Sequence, residues 1–204
     1  MIVCDLFPIA LAIEKIEVEQ EDLDKLLLLT SEKDKLIKNQ KDNFFHDETY
    51  IFDTVLKGSK LVQDITSCMN QYCRDILGEE PNLRHTQSWL NVNPPGSSHH
   101  KHFHSNSILS GVLYLQVDDQ TGKFLVHRED NNRISNEIKN YNQYNYKYLF
   151  FEPKQFELYI FPSSLSHSVD ENKSTENRIS LSFNTFYYGD IIGDGKLTDI
   201  RFKE

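Results

Sequence analysis

The sequence predicts an α+β fold in which a mainly helical first part, residues 1–80, supports a β-sandwich or barrel over 81–204. Three observations carry this. Apolar residues recur at helical spacing before residue 80. After Pro81 they give way to short aromatic and β-branched runs punctuated by Pro, Gly, Asn and Asp. The 204 residues, 38% hydrophobic and 12% aromatic, suffice for one sizeable core, and no repeat or low-complexity linker divides them, so a single domain over 1–204 is expected.

The opening stretch 1–11 is apolar, but it contains Asp5 and Pro8, has no basic residue and is too short to cross a bilayer, so neither export nor membrane insertion is expected. Over 20–39, Leu23, Leu26, Leu27, Leu36 and Ile37 can gather on one side of a helix, with a break near Thr30. A second helix is marked by Leu61, Ile65, Cys68, Met69, Tyr72 and Ile76; Ser59 suits its N-cap and Gly78 its end. Strands are expected over 86–93, 99–104, 108–117, 123–127, 148–152, 156–161 and 178–187. The polar, Asn-rich stretch 128–147 carries Tyr141, Tyr144 and Tyr146. It reads either as a surface loop or as a lid whose tyrosines close over a substrate.

The formal net charge of -9 argues against a nucleic-acid partner, because grip on phosphates comes mostly from clustered Lys and Arg. Three cysteines, Cys4, Cys68 and Cys73, lack a disulfide-like spacing and suit a reducing cytoplasm.

Function should lie in the β half, where four of the eight histidines crowd into His99-His100-Lys101-His102-Phe103-His104. Side chains at i and i+2 of a strand share a face, so His102 and His104 can reach one ion while Phe103 turns toward packing. His100 shares that face too, which leaves the pair open, and a solvated polar run at a strand end is the plain alternative. His167 offers a third ligand, since it follows the apolar run 156–161 and the turn residues Pro162, Ser163 and Ser164. Further on, alternation puts Arg178, Ser180 and Ser182 on one face of a strand. A guanidinium there needs an anion, either an Asp or Glu of the protein or the carboxylate of a ligand, and the two readings weigh equally.

In order and layout these residues resemble the Fe(II)/2-oxoglutarate-dependent oxygenase superfamily, whose pattern is His-x-Asp/Glu, a distant His, then Arg-x-Ser on the last core strand. Closer still, the chain is similar to a group of 2OG-Fe(II) oxygenases of bacteria and marine phages. The matching segments are Trp89-Leu90-Asn91, His102-Phe103-His104, Ser110-Gly111-Val112-Leu113-Tyr114-Leu115, Phe161-Pro162-Ser163, His167-Ser168-Val169 and Arg178-Ile179-Ser180; Leu6-Phe7-Pro8 fits as well. The resemblance implies a double-stranded β-helix, a cupin-like jelly-roll, with helices bracing one sheet from outside. It implies Fe(II) held by His102, His104 and His167, and 2-oxoglutarate held by Arg178 and Ser180, with Tyr114 in the same pocket. In the alkylation-repair branch, Asn-x-Tyr-x-Pro-Gly precedes the metal motif at the distance that Asn91 to Gly96 stands before His102. That comparison favours His102 with His104, implies that Asn91 touches 2-oxoglutarate, and puts Asn93 where a Tyr is usual. Trp89 and Asn93 would lie toward the substrate.

The implied reaction consumes 2-oxoglutarate and O2, releases succinate and CO2, and hydroxylates a substrate that the sequence does not identify. His104 stands where most of the superfamily has a carboxylate, which raises the charge of the metal site by one. Imidazole suits Fe(II) all the same, and thiol dioxygenases use three-histidine sites. Competing readings are a three-His cupin-type dioxygenase that does not use 2-oxoglutarate, a non-enzymatic metal- or ligand-binding β-helix protein, and an adventitious Zn or Ni site over 99–104.

Overall fold

The computed structural model describes residues 1–129, 137–191 and Ile200. In chain order these form β1 (Ala12–Lys15), α1 (Gln20–Leu29), β2 (Leu36–Lys38), β3 (Phe44–His46), α2 (Lys60–Tyr72), β4 (Leu83–Asn93), β5 (His99–His102), β6 (Leu109–Gln116), β7 (Phe124–His127), β8 (Tyr148–Phe151), β9 (Glu157–Pro162), β10 (His167–Val169) and β11 (Arg178–Tyr187).

The second helix follows its sequence signals closely. The Ser59 hydroxyl accepts from the Val62 amide at 3.3 Å, and Leu61, Ile65, Met69 and Tyr72 form the buried stripe. A π-turn over Cys73–Leu77 ends at Gly78, whose φ of 70° lies in the left-handed region that glycine reaches at little cost. The first helix ends at the break expected near Thr30. It stops at Leu29, where the Thr30 hydroxyl donates to the Leu27 carbonyl at 2.7 Å and competes with continued helical bonding. Leu36 and Ile37 are not helical: they lie in β2 and pair with His46 and Phe45 of β3. Residues 1–80 therefore contribute three strands besides their helices.

Two antiparallel sheets make the core, one ordered β1-β9-β6-β11-β4-β3-β2 and the other β5-β10-β7-β8. Together they form the double-stranded β-helix expected of the sequence. The period of two along the central strands sorts side chains between two layers. Leu113 and Leu115 of β6 and Ile179, Leu181 and Phe183 of β11 join Leu26, Leu61, Ile65 and Met69 in a core under the helices. Val112 and Tyr114 of β6 face the other way and cluster with Phe124, Tyr159 and Phe161 between the sheets. On β11 the residues of that inward parity are Arg178, Ser180 and Ser182, all buried. Polar groups thus stand where a sandwich normally carries apolar ones.

Gly111 permits a close approach in the helix-side layer. A Cβ there would fall 2.3 Å from Cζ of Phe183, a fully buried ring. Gly111→Ala should therefore cost about 1–3 kcal/mol through overpacking, read as a lower denaturant midpoint with an unchanged m value. Among the described residues no helix is long and apolar enough to cross a membrane.

Candidate metal centre

The site is assembled by β5 and β10, which place His102 directly opposite His167. Their ring centroids are 4.3 Å apart. His104 lies just beyond β5, where its backbone amide donates to the Ser163 carbonyl at 2.9 Å. That bond brings its Nε2 to 3.2 Å from Nε2 of His102. One ligand nitrogen from each of the three rings lies within 4.8 Å of the others.

Hydrogen bonds on the far side of each ring decide what the near side offers. Nδ1 of His102 is 2.8 Å from the His100 carbonyl oxygen, and Nδ1 of His167 is 2.8 Å from that of Leu165. A carbonyl can only accept, so both Nδ1 atoms carry the proton and both Nε2 atoms keep a lone pair. For His104 the partners are Asn184 Oδ1 at 2.7 Å and Ser110 Oγ at 2.8 Å, and the Ser110 hydroxyl donates to the same Asn184 oxygen. This network assigns His104 the same tautomer. Burial holds His104 down to about 4, lowers His102, and lowers His167 well below the usual imidazole range. Three neutral imidazoles therefore aim lone pairs at one another, a repulsive arrangement that a divalent cation relieves. The donor set fits Fe(II), with His104 in place of an anionic ligand.

Across the same cavity stands an unpaired cation. Arg178 is only 3% exposed, its Nε has no hydrogen-bond partner, and its Nη1 reaches only the Thr121 carbonyl at 3.4 Å. Among the described residues no ion pair includes Arg178. Burial pulls the guanidinium down to about 10, while neighbouring Tyr114 acts in the opposite direction. A guanidinium so desolvated lacks the protein carboxylate that one of the two sequence readings requires, and it can accept an anionic ligand. Ser180, Tyr114, Asn91, Asn93 and Trp89 line this cavity with the three histidines.

Asn93, 1% exposed, leaves its side-chain Nδ2 buried without a partner, so it offers a second free donor. Asn91 is already engaged: its Oδ1 accepts from Trp89 Nε1 at 3.1 Å and its Nδ2 donates to Ser182 Oγ at 2.9 Å. It fixes the plane of Trp89. An outer cleft of about 330 Å³ reaches His102 and His104 from the other side, lined by Asn39, Phe45, Gln87, Trp89 and His99 among others.

One expectation changes, and one open alternative narrows. Phe103 is 60% exposed and does not pack inward, because β5 ends at His102 and the chain turns away through Asn106, whose φ is 56°. Of the stretch 128–147, residues 130–136 lie outside the described residues. In the part described, Tyr141 stacks on Tyr146 at 5.5 Å and the Tyr144 hydroxyl donates to Asp5. None of residues 137–147 lines either cavity at the histidines, which matches the surface-loop reading. Asn184 and Ser110 were missed, although Asn184 shares the inward parity of Arg178, Ser180 and Ser182.

Comparison with known proteins agrees with this geometry. Residues 87–184 match the family described as putative 2OG-Fe(II) oxygenase. No curated protein matches the sequence. Among solved structures, a 2OG-Fe(II) oxygenase family oxidoreductase from Burkholderia pseudomallei aligns with TM-score 0.54 at 12% identity, covering 86% of this chain and 83% of that one. A prolyl-4-hydroxylase from Pseudomonas putida aligns with TM-score 0.55 at 14% identity, covering 89% and 94%. A non-heme alpha ketoglutarate dependent carbocyclase from nogalamycin biosynthesis aligns with TM-score 0.60 at 10% identity, covering 89% and 81%. At these identities the likeness is one of fold.

Proposed function

We propose that this chain, whose residues 87–184 belong to the Fe(II)/2-oxoglutarate-dependent oxygenase superfamily, is a 2-oxoglutarate-dependent dioxygenase with His102, His104 and His167 as its metal ligands. One observation carries the reading: three converging imidazole lone pairs share a cavity with a buried guanidinium that has no acidic partner. A metal alone does not explain Arg178, and an anion alone does not explain the histidines. A keto acid that chelates a metal at one end and carries a carboxylate at the other accounts for both.

Each side chain then has a task. His102, His104 and His167 hold Fe(II) through Nε2, and the acceptors on Nδ1 orient them. Arg178 meets the C5 carboxylate of 2-oxoglutarate through charge-assisted hydrogen bonds, and the Ser180 hydroxyl adds one more. Asn93 Nδ2 is a further donor in that pocket, and Tyr114 forms its wall. Trp89, held by Asn91, stands between this cavity and the outer cleft, where a primary substrate would enter. When bound, Fe(II), 2-oxoglutarate and O2 together supply the oxidant, with succinate and CO2 as co-products.

The decisive experiment is anaerobic addition of 2-oxoglutarate to the Fe(II) protein, followed by admission of O2 with ascorbate. A visible metal-to-ligand charge-transfer band should develop first, and succinate should form afterwards. O2 uptake without succinate would point to a three-histidine dioxygenase that does not use the keto acid. No band at all would leave only a metal-binding β-helix protein.

A further inference from the structure

The strands β5 and β10 do not match residue for residue. His167 stands opposite His102 and Val169 opposite His99, so β5 advances by one residue more than its partner. Such a β-bulge re-aims side chains that would otherwise alternate between faces. Its effect here is to gather three imidazoles at the cavity mouth. His99 stacks on His102 with ring centroids 4.5 Å apart and 17° between planes, and His100 lies 5.1 Å from each of them.

Ligand nitrogens of His99, His100 and His102 fall within 4.8 Å of one another, the same closeness as in the inner triad. Nδ1 of His100 is buried and has no hydrogen-bond partner, a vacancy that burial makes costly unless something fills it. His99, His100 and His102 also line the outer cleft, which gives an ion a path from solvent. The dioxygenase assignment uses neither His99 as a ligand nor the side chain of His100.

We propose that His99, His100 and His102 form a second, mouth-side site for a zinc-class divalent cation, in competition with the iron triad for His102. Nδ1 of His102 is committed to the His100 carbonyl, so His102 has only Nε2 to give. One lone pair cannot serve two ions, and a cation held at the mouth draws His102 away from the inner site. Three imidazoles suit Zn(II), Ni(II) and Co(II) well, so the site makes iron loading sensitive to those ions.

Zn(II) itself is the probe, followed by calorimetry on metal-free protein. His104→Ala/His167→Ala dismantles the iron triad but keeps the mouth site, and should bind one Zn(II) within about tenfold of the wild-type affinity. Adding His99→Ala and His100→Ala should weaken that binding on the order of a hundredfold or more. Failure of the folded double variant to bind Zn(II) overturns the proposal, and equal binding by all variants identifies an adventitious ion only.

If the double variant does not fold, the test passes to His99→Ala/His100→Ala alone, whose substitutions lie at the cavity mouth. The band of wild-type Fe(II) protein with 2-oxoglutarate should bleach with far less Zn(II) than the band of that variant, by at least tenfold. Equal sensitivity means that zinc attacks the inner triad directly, and the mouth site is then rejected. A wild type without any band sinks the dioxygenase assignment, while the loss of Zn(II) affinity on adding His99→Ala/His100→Ala, read by calorimetry on metal-free protein, still decides the second site.

Discussion

Arg178→Leu should leave Fe(II) affinity unchanged and weaken 2-oxoglutarate binding by about thirtyfold to several thousandfold. The range follows from the roughly 2–5 kcal/mol lost when one member of a buried charge pair is removed. Titrating the charge-transfer band of the anaerobic Fe(II) protein with 2-oxoglutarate reads it directly. A second readout separates this from a structural role. In the ligand-free protein the guanidinium is buried without an acidic partner, so leucine should leave stability equal or raise it. Removing half of an internal ion pair would instead cost about 3–5 kcal/mol. Wild-type keto-acid affinity in the variant, or a large loss of stability in its metal-free form, would dismiss Arg178 as the carboxylate anchor.

The contrast between Arg178 and the histidines shows what the sequence can and cannot specify. Strand β11 was legible to the residue, because polar and apolar residues alternate over 178–184, up to the register shift between Asn184 and Thr185. The same alternation gave the inward parity of Arg178, Ser180 and Ser182. The absence of an acidic partner was not legible, since it depends on which loops fold over the strand. Strand β2 was misread because its three residues are too few to establish a period, and Leu36 and Ile37 happen to continue the helical spacing of α1. Strand β10 is equally short and is absent from the expected strands, although His167 within it stands out as a ligand.

The histidine run shows a different limit. A period of two cannot choose between His100 with His102 and His102 with His104. In three dimensions β10 sets His167 opposite His102, His104 joins those two rings, and the extra residue of β5 between His99 and His102 brings His99 and His100 together with His102 as a second group. A bulge is a property of two strands together, so neither sequence contains it alone. Similarly, the support of His104 by Ser110 and Asn184 joins β6 to β11 and could be anticipated only in part, from parity.

His104 gives the sharpest test of the triad. Substituting His167 or His102 by alanine should abolish stoichiometric Fe(II) binding, since each removes a lone pair whose direction the fold fixes. His104→Ala should do nearly the same, weakening iron by on the order of a hundredfold or more. His104→Asp should recover binding, because a carboxylate there makes the two-histidine, one-carboxylate set common to non-haem Fe(II) oxygenases and removes one positive charge from the site. Between these lies Asn184→Leu. It deletes the acceptor 2.7 Å from His104 Nδ1 and leaves the ring attached to Ser110 alone, so its tautomer is no longer fixed. The expected cost is about 10–100-fold in iron affinity with little change in fold. Calorimetric Fe(II) titration under anaerobic conditions ranks the five variants against the wild type. Should His104→Ala bind iron as tightly as the wild type, His104 is not a ligand, and the metal centre is a two-histidine site in which its Nε2 only lies 3.2 Å from that of His102.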